Sequence, residues 1–552
     1  MPLFLYVFSL HIMPLLDPDE TRYSEISDTM VDTGDYVTPR LNHVVYLEKP
    51  PLAYWATAAM FKIFGEHEFS ARLFSGLCAW GCILLAFSMG SFLHDETTGL
   101  YSAGVLSTFL YIFILGHINL LDIPLAFFVC LATWAGYRYI IGERPLKGWL
   151  YLLYTASALA FLTKGLIGVV FPFVILILWL LIAKKGWDII RLFSPVGLII
   201  LIAIVSPWLI LVHRVNQEFL WFFFVHEHFL RYTTKIHERY HSVLYYLPVV
   251  ILGVLPWAAF LIQSIRASRA NRDKMYLNRI DKHFLITWIV FIFAFFSVSS
   301  SKLIPYIAPI FLPIAVIFGH LFKQYDDQAW QPTRKMTDRV LHHLPVILQS
   351  MLLIAVLLLP LFIENHTAFG GDLVIVHAHD WIWLILLPIA FQILLIFVPG
   401  MMKRRFGTGW FLTTYFLSAL FLVSLIYPAS AFLAPYKSAY HLTQVIKAHL
   451  PANEKLYQYK IFLYGIESYT DIRTPVVENF GEMRFGMNQL SPDEKSRYFL
   501  SEQEFLRLCR ERGGPVYCVT ANKKNFDELN KAFPRLHVIW SNGIYYFIRL
   551  IQ

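Results

Sequence analysis

Apolar residues fall along this chain in long blocks separated by short polar loops. The blocks at Met1 to Leu16, Ala71 to Leu93, Leu100 to Gly116, Pro124 to Ile141, Leu150 to Thr163, Leu166 to Ala183 and Val196 to Val212 each approach the roughly 20 residues that carry a helix across a bilayer. Further blocks follow at Val243 to Ile262, Phe284 to Ser299, Leu303 to Phe322, Leu344 to Ile363, Trp381 to Val398 and Trp410 to Tyr427. The pattern predicts an all-α polytopic membrane domain over residues 1–434 with about thirteen spans.

From about Pro435 the pattern becomes soluble, and strand and helix signals alternate. Lys455 to Lys460, Thr474 to Glu478, Pro515 to Thr520, His537 to Ser541 and Ile544 to Leu550 read as strands, and Ser501 to Arg512 as a helix. Residues 435–552 are therefore expected to form a small α/β domain that supports the first loop, helps receive a bulky acceptor, or acts as a passive stabilising cap. Cys509 and Cys518 fall in this domain and are candidates for a helix-to-strand disulfide in an oxidising compartment. Cys78, Cys82 and Cys130 fall within spans.

Composition agrees with the block pattern, since 57% hydrophobic and 15% charged residues lie outside the range of soluble globular proteins. If the first span runs outward, the loops Arg138 to Lys147, Lys184 to Arg191, Arg266 to Lys282, Lys323 to Arg339 and Lys403 to Arg405 all fall inside. They hold roughly nineteen Lys and Arg, the positive-inside pattern. Topology thus accounts for the net charge of +8, and no nucleic-acid partner is needed. An odd number of spans puts everything after Pro428 outside. Met1 to Leu16 reads as an anchored helix, because Leu16-Asp17-Pro18-Asp19 is a poor signal-peptide cleavage site.

The outer face then collects the residues that can do chemistry. In the first loop, 17–70, Thr21 to Thr33 and Pro51 to Gly65 read as short interfacial helices, with turns at Pro39 to Asn42 and Tyr46 to Pro51. Asp19, Glu20 and Arg22 stand where the first apolar block ends, and the plainest reading of Asp19 alone is a helix cap. Asp122 lies at the mouth of another span at the same depth, and two acidic groups on one face suit acid/base work at a glycosidic centre.

The second large outer loop, 213–242, carries His226-Glu227-His228 and Arg231. Imidazole and carboxylate together can hold a divalent metal, with Glu48 as a further ligand; the alternative is a wet helix with surface histidines. Lys302 and Tyr306, four apart at a span mouth, are expected to share a helix face. Arg22, Lys49, Arg231 and Lys302 make a basic ring suited to a phosphate, although snorkelling accounts for any one of them. The chain offers no nucleotide-binding loop. A transporter would also use many spans, but no internal repeat and no acidic residue at mid-membrane depth favours one.

Three segments resemble the aminoarabinose transferases of lipid A, within the GT-C integral-membrane glycosyltransferases and near the protein O-mannosyltransferases. They are Leu16-Asp17-Pro18-Asp19-Glu20-Thr21-Arg22-Tyr23-Ser24-Glu25-Ile26, Gly34-Asp35-Tyr36-Val37-Thr38-Pro39-Arg40-Leu41-Asn42 and Tyr46-Leu47-Glu48-Lys49-Pro50-Pro51-Leu52-Ala53-Tyr54-Trp55. The resemblance continues through Leu121-Asp122, Leu162-Thr163-Lys164-Gly165, Glu227-His228 with Arg231, Leu255-Pro256-Trp257 and Lys302 with Tyr306.

It implies a membrane transferase moving 4-amino-4-deoxy-L-arabinose from undecaprenyl phosphate to lipid A at the periplasmic face of a Gram-negative inner membrane. The nearest alternative is transfer of another polyprenyl-phosphate sugar, as in protein O-mannosylation. Carried over by position, Asp19 is the leading catalytic carboxylate with Asp122 as its partner. Glu20, Arg22, Tyr46, Lys49, Arg231, Lys302 and Tyr306 fall near the carrier phosphate, and Glu48 with His228 or His226 at a divalent metal.

Overall fold

The computed structural model describes residues 2–142, 146–225, 241–260, 278–327, 386–391, 393–395, 398, 401 and 409–551. The first apolar block does not form a whole span: its helix α1, Pro2–Val7, is six residues long. Arg72 supplies the reason, because its guanidinium takes the carbonyls of Leu10, Met13 and Pro14 that a continuing helix would have used internally. Pro14 also disfavours helical backbone in the residue before it.

The two helices expected in the first loop are present as α2, Asp19–Thr33, and α3, Leu52–Phe64, with most of α2 buried in protein. Gly34 ends α2 in the left-handed conformation, φ 68°, which only glycine adopts without strain. Between the helices the expected turn at Pro39 to Asn42 is part of a minimal hairpin, β1 (Arg40–Leu41) on β2 (Val44–Val45). Asn42 and His43 both take positive φ at its two-residue corner, as a hairpin of that length requires.

The chain then enters the bundle through α4 (Glu68–Leu93), α5 (Glu96–Ser107), α6 (Leu110–Gly116), α7 (Asp122–Ile141), α8 (Lys147–Lys164), α9 (Ile167–Ile182) and α10 (Pro195–Val215). Helices Arg279–Val298, Phe311–Asp327 and Gly409–Lys437 follow. Among the described residues six helices are long and apolar enough to cross a membrane, or seven with a bent pair. The chain is a multi-pass membrane protein. About thirteen spans were expected; the block at Leu344 to Ile363 lies outside the described residues and that at Trp381 to Val398 largely so, while Leu150 to Thr163 and Leu166 to Ala183 give the shorter helices α8 and α9.

The block at Leu100 to Gly116 is broken, with α5 and α6 meeting at 64°. A break inside a membrane leaves backbone groups that protein must satisfy. The Leu110 amide donates to the Leu255 carbonyl at 3.0 Å, and Thr108 Oγ1 accepts from Trp257 Nε1 at 2.8 Å. Small residues let α4, α5 and Phe311–Asp327 approach closely: a Cβ on Gly90 would lie 2.9 Å from Gly99 Cα, and one on Gly319 would strike Ser102.

The C-terminal domain is a six-stranded sheet in the order β5-β4-β3-β6-β8-β7. Its strands are β3 (Leu456–Tyr459), β4 (Val476–Val477), β5 (Phe499–Leu500), β6 (Val516–Ala521), β7 (His537–Ser541) and β8 (Tyr545–Leu550). Strands β5, β4, β3 and β6 run parallel, and β8 and β7 close the other edge antiparallel. The five expected strands are all present, and the helix at Ser501 to Arg512 spans Glu502–Glu511. Strand β5 and the helices Tyr440–His449, Tyr464–Thr470 and Lys523–Ala532 were not expected. Cys509 and Cys518 are both buried free thiols, so no disulfide joins them.

This domain packs onto the first loop. Tyr464, Val476, Met483, Met487 and Phe499 share one apolar cluster with Tyr23, Ile26, Met30, Leu41 and Tyr54. Asp17 stitches the two together, accepting from the amides of Ala439 and Gly465 at 2.9 Å each. Gly465 permits that approach, since a Cβ there would lie 2.9 Å from the Asp17 carboxylate. Glu25 is buried beside Glu467, and burial first, then the neighbouring carboxylate, raises its pKa. His43 Nε2 lies 3.0 Å from Glu467 Oε1. The first loop, the 117–122 turn and the C-terminal domain therefore lie on the same side of the bundle.

Candidate active site

Helix α2 sets the site by splitting its two adjacent carboxylates. Glu20 points into the bundle, where Arg72 grips both its oxygens at 2.8 Å and both side chains are 1% exposed. Its oxygens also accept from the amides of Asn119 at 2.8 Å and Leu16 at 3.0 Å. Glu20 was expected near a phosphate; with its acceptor sites filled this way it serves instead as a structural anchor.

Asp19 points outward and its side chain is 52% exposed. It makes no capping hydrogen bond: Pro18 occupies the cap position, and Asp19 pairs one turn on with Arg22. The Arg22 side chain is 7% exposed and pairs through its other terminal nitrogen with Glu482 of the C-terminal domain. Its guanidinium also lies 4.9 Å from the Tyr23 ring centroid and 5.6 Å from that of Tyr464.

Tyr46, Glu48 and Lys49 continue this group from the segment after the hairpin. The Tyr46 hydroxyl lies 3.3 Å from Glu482 and 3.4 Å from Glu48. Lys49 Nζ donates to the Glu48 carbonyl at 2.9 Å and sits 3.9 Å from its carboxylate. Behind them Leu47 packs with Phe161 and Leu162 of α8 and Trp208 of α10, which hold the segment against the bundle.

Asp122 opens α7 and pairs at 2.5 Å with Lys164, the last residue of α8. Lys164 Nζ also stands 4.7 Å from the Tyr306 ring centroid. The turn before Asp122 leans on α2 through the bonds from Asn119 to Glu20 and Ser24, and Leu121 packs in the same cluster as Tyr23. The Tyr23 hydroxyl accepts from Arg22 at 3.4 Å. Burial raises its pKa most, Arg22 opposes, and the charges of Asp19, Glu482 and Asp122 push it further up, so this phenol stays protonated as a donor.

Lys302 is placed differently from expectation. The short 3₁₀ helix that carries Tyr306 starts at Ile304, so Lys302 precedes it and the two do not share a helix face. Lys302 is 4% exposed, and its ammonium donates to the Ser299 carbonyl at 2.5 Å. His226, His228 and Arg231 lie outside the described residues. Among the described residues the group of three or more ligand side chains close enough to share a cation is Asp28, Asp32 and Glu66, a set that does not include Glu48.

Sequence reasoning singled out neither Lys164 nor Glu482. Lys164 carried a signal, a cation ending an apolar helix on the outer side within the quoted Leu162 to Gly165 segment. Glu482 carried none, because 460 positions separate it from Arg22.

Residues 48–211 match the family model described as dolichyl-phosphate-mannose-protein mannosyltransferase. An undecaprenyl phosphate-alpha-4-amino-4-deoxy-L-arabinose arabinosyl transferase of Pectobacterium carotovorum subsp. carotovorum is 31% identical over 319 residues, 57% of this chain and 56% of that protein. The protein of that name from Aeromonas hydrophila subsp. hydrophila is 28% identical over 378 residues, 67% of this chain and 66% of its own. The matched region thus spans a little over half the length of the first of these curated relatives. The crystal structure of ArnT from Cupriavidus metallidurans bound to undecaprenyl phosphate superposes with a TM-score of 0.82 and 24% identity, covering 100% of this chain and 96% of that one. The chain is similar in sequence to these transferases over part of its length, and it shares the fold of that crystal structure throughout. The family-model match begins at Glu48 and contains Lys49, Asp122 and Lys164, while Asp19, Arg22 and Tyr46 lie before it and Glu482 far beyond.

Proposed function

We propose that this chain is a membrane glycosyltransferase that moves 4-amino-4-deoxy-L-arabinose from undecaprenyl phosphate to a phosphate of lipid A, at the periplasmic face of a Gram-negative inner membrane. The observation that carries the reading is one group of cations, carboxylates and phenols, Arg22, Lys49, Asp19, Glu48 and Tyr46, gathered beside the Asp122–Lys164 pair at the ends of apolar helices. The names of the relatives supply the sugar and carrier.

The reaction breaks the bond between the sugar C1 and the carrier phosphate oxygen, and a lipid A phosphate oxygen takes its place on C1. Undecaprenyl phosphate departs as an anion. A phosphate leaves readily once its charge is offset, so Arg22 and Lys49 perform the task that protonation performs for an alkoxide. Tyr23 and Tyr46 add neutral donors. Asp19, the exposed carboxylate, orients the acceptor and stabilises positive charge developing at C1. Lys164 pairs with Asp122 beside it. A divalent ion held by Glu48 with His228 or His226 would position phosphate oxygens.

Mass spectrometry of lipid A from cells with and without the gene tests this reading. The expected result is loss of the aminoarabinose mass increment and greater sensitivity to cationic peptides in the deletion. An unchanged lipid A profile overturns the sugar and acceptor together. A changed glycoprotein profile would instead favour the mannosyltransferase reading.

A further inference from the structure

We infer that Glu482, delivered by the C-terminal domain, is a placeholder anion that occupies the donor-phosphate seat on Arg22 and Tyr46 and must be displaced or neutralised when the donor binds. The inference rests on the donor reading above and adds a residue and a domain to it.

The geometry starts from the guanidinium. Arg22 offers two terminal nitrogens, one taken by Asp19 of its own helix and the other by Glu482. A guanidinium presents that two-pronged edge equally to carboxylate and to phosphate. Tyr46 completes the seat, its hydroxyl 3.3 Å from the same Glu482 oxygen that Arg22 contacts. A carboxylate bound by an arginine and a phenol at once is bound as a phosphate oxygen would be.

The shared seat makes displacement necessary. Arg22 and Tyr46 already hold the Glu482 carboxylate, and a phosphate anion brought to the same donors meets that like charge in a partly desolvated site, where like charges repel strongly. With Glu482 withdrawn or neutralised, the phosphate inherits both its donors.

That carboxylate can be reached from solvent. The Glu482 side chain is 26% exposed and stands in a short 3₁₀ turn, Gly481–Met483, with Gly481 at φ 41°. Met483 next to it is buried in the cluster that docks the domain on the first loop. The domain can therefore stay docked while the carboxylate swings aside.

The test is the affinity of undecaprenyl phosphate for the purified full-length chain in detergent, comparing wild type with Glu482→Gln, Glu482→Ala and Arg22→Ala. Removing a competing anion is expected to tighten binding about tenfold in both Glu482 variants. Asp19 still pairs with Arg22 in these variants, so the fold is expected to hold, with cooperative thermal unfolding as the check. Equal or weaker binding in the Glu482 variants, with wild-type binding intact and Arg22→Ala impaired, overturns the placeholder role alone. Wild-type binding that Arg22→Ala leaves unchanged overturns the donor seat and the placeholder with it.

Discussion

Two arginine–carboxylate pairs grow from neighbouring positions on one helix and come to opposite ends. Glu20 and Arg72 are sealed, with two ionic contacts and the backbone groups of five residues completing both partners. Asp19 and Arg22 sit at the rim, and there one guanidinium answers to two carboxylates, one of them half exposed. Both are charge pairs at the end of the same apolar block. What separates them is whether every donor and acceptor already has its partner. A saturated pair can only hold structure, whereas an oversubscribed one can exchange a partner for a substrate.

Breaking the sealed pair is expected to have the largest effect. Arg72→Ala leaves the Glu20 carboxylate buried without its counter-charge and frees three carbonyls in the segment after α1, a loss of about 3–5 kcal/mol. Thermal unfolding of the detergent-purified protein should show a large fall in midpoint, and transfer activity should vanish with the fold. Changing both partners, Glu20→Leu with Arg72→Met, should recover part of the stability but not all, because those carbonyls and the Asn119 amide remain unanswered. Full recovery in the double variant would show that the backbone contacts contribute little.

The rim pair should respond in the opposite way. Asp19→Asn keeps the size of a half-exposed side chain, so stability is expected to move by no more than about 0.5 kcal/mol. If the carboxylate orients the acceptor or stabilises charge at C1, turnover at saturating donor should fall about 10²- to 10⁴-fold. Lipid A mass spectrometry in cells and a donor-consumption assay on the purified chain both read this out. A well-folded Asp19→Asn variant with full activity would remove the catalytic role assigned to it.

The contrast also marks what sequence could and could not disclose. The blocks, the two helices of the first loop and five strands were legible because hydrophobic length and period report on burial locally. Asp19, Arg22 and Lys49 were legible because charge beside a span demands an explanation, whereas Tyr46 came only from the family resemblance and Glu48 was read as a metal ligand. Glu20 was misjudged since adjacent carboxylates look alike in sequence, and only the arrival of Arg72 from α4 distinguishes them. Glu482 was invisible for the same reason: its meaning comes from docking a sheet domain onto a loop at the far end of the chain. The break between α5 and α6 reads as one apolar run, because the contacts from Leu255 and Trp257 that stabilise it are tertiary.

A third group on α2 sharpens the comparison because it holds carboxylates without an arginine. Near the end of the helix away from Asp19, the pKa of Asp28 is pushed up to about 8, by burial first and then by the hydrogen bond and charge of Glu66 and the charges of Asp32 and Asp471. The folded state therefore holds this proton more tightly than an unfolded chain, whose aspartate titrates near 3.8. Between those values the native state binds more protons, so stability falls as pH rises. The contribution is fully present below about pH 4, drains away toward pH 8, and stays lost above it. Asp28→Asn removes the charge but keeps a hydrogen-bonding side chain, so its stability curve should lose that slope. At pH 4 the two proteins should unfold alike, and at pH 8.5 the variant should be more stable by ~1 kcal/mol, a figure already reduced for solvent screening at a partly exposed group. Parallel curves from pH 4 to 8.5 would mean that water or a bound cation relieves the repulsion, and that α2 tolerates surplus negative charge at this end as it does at Asp19.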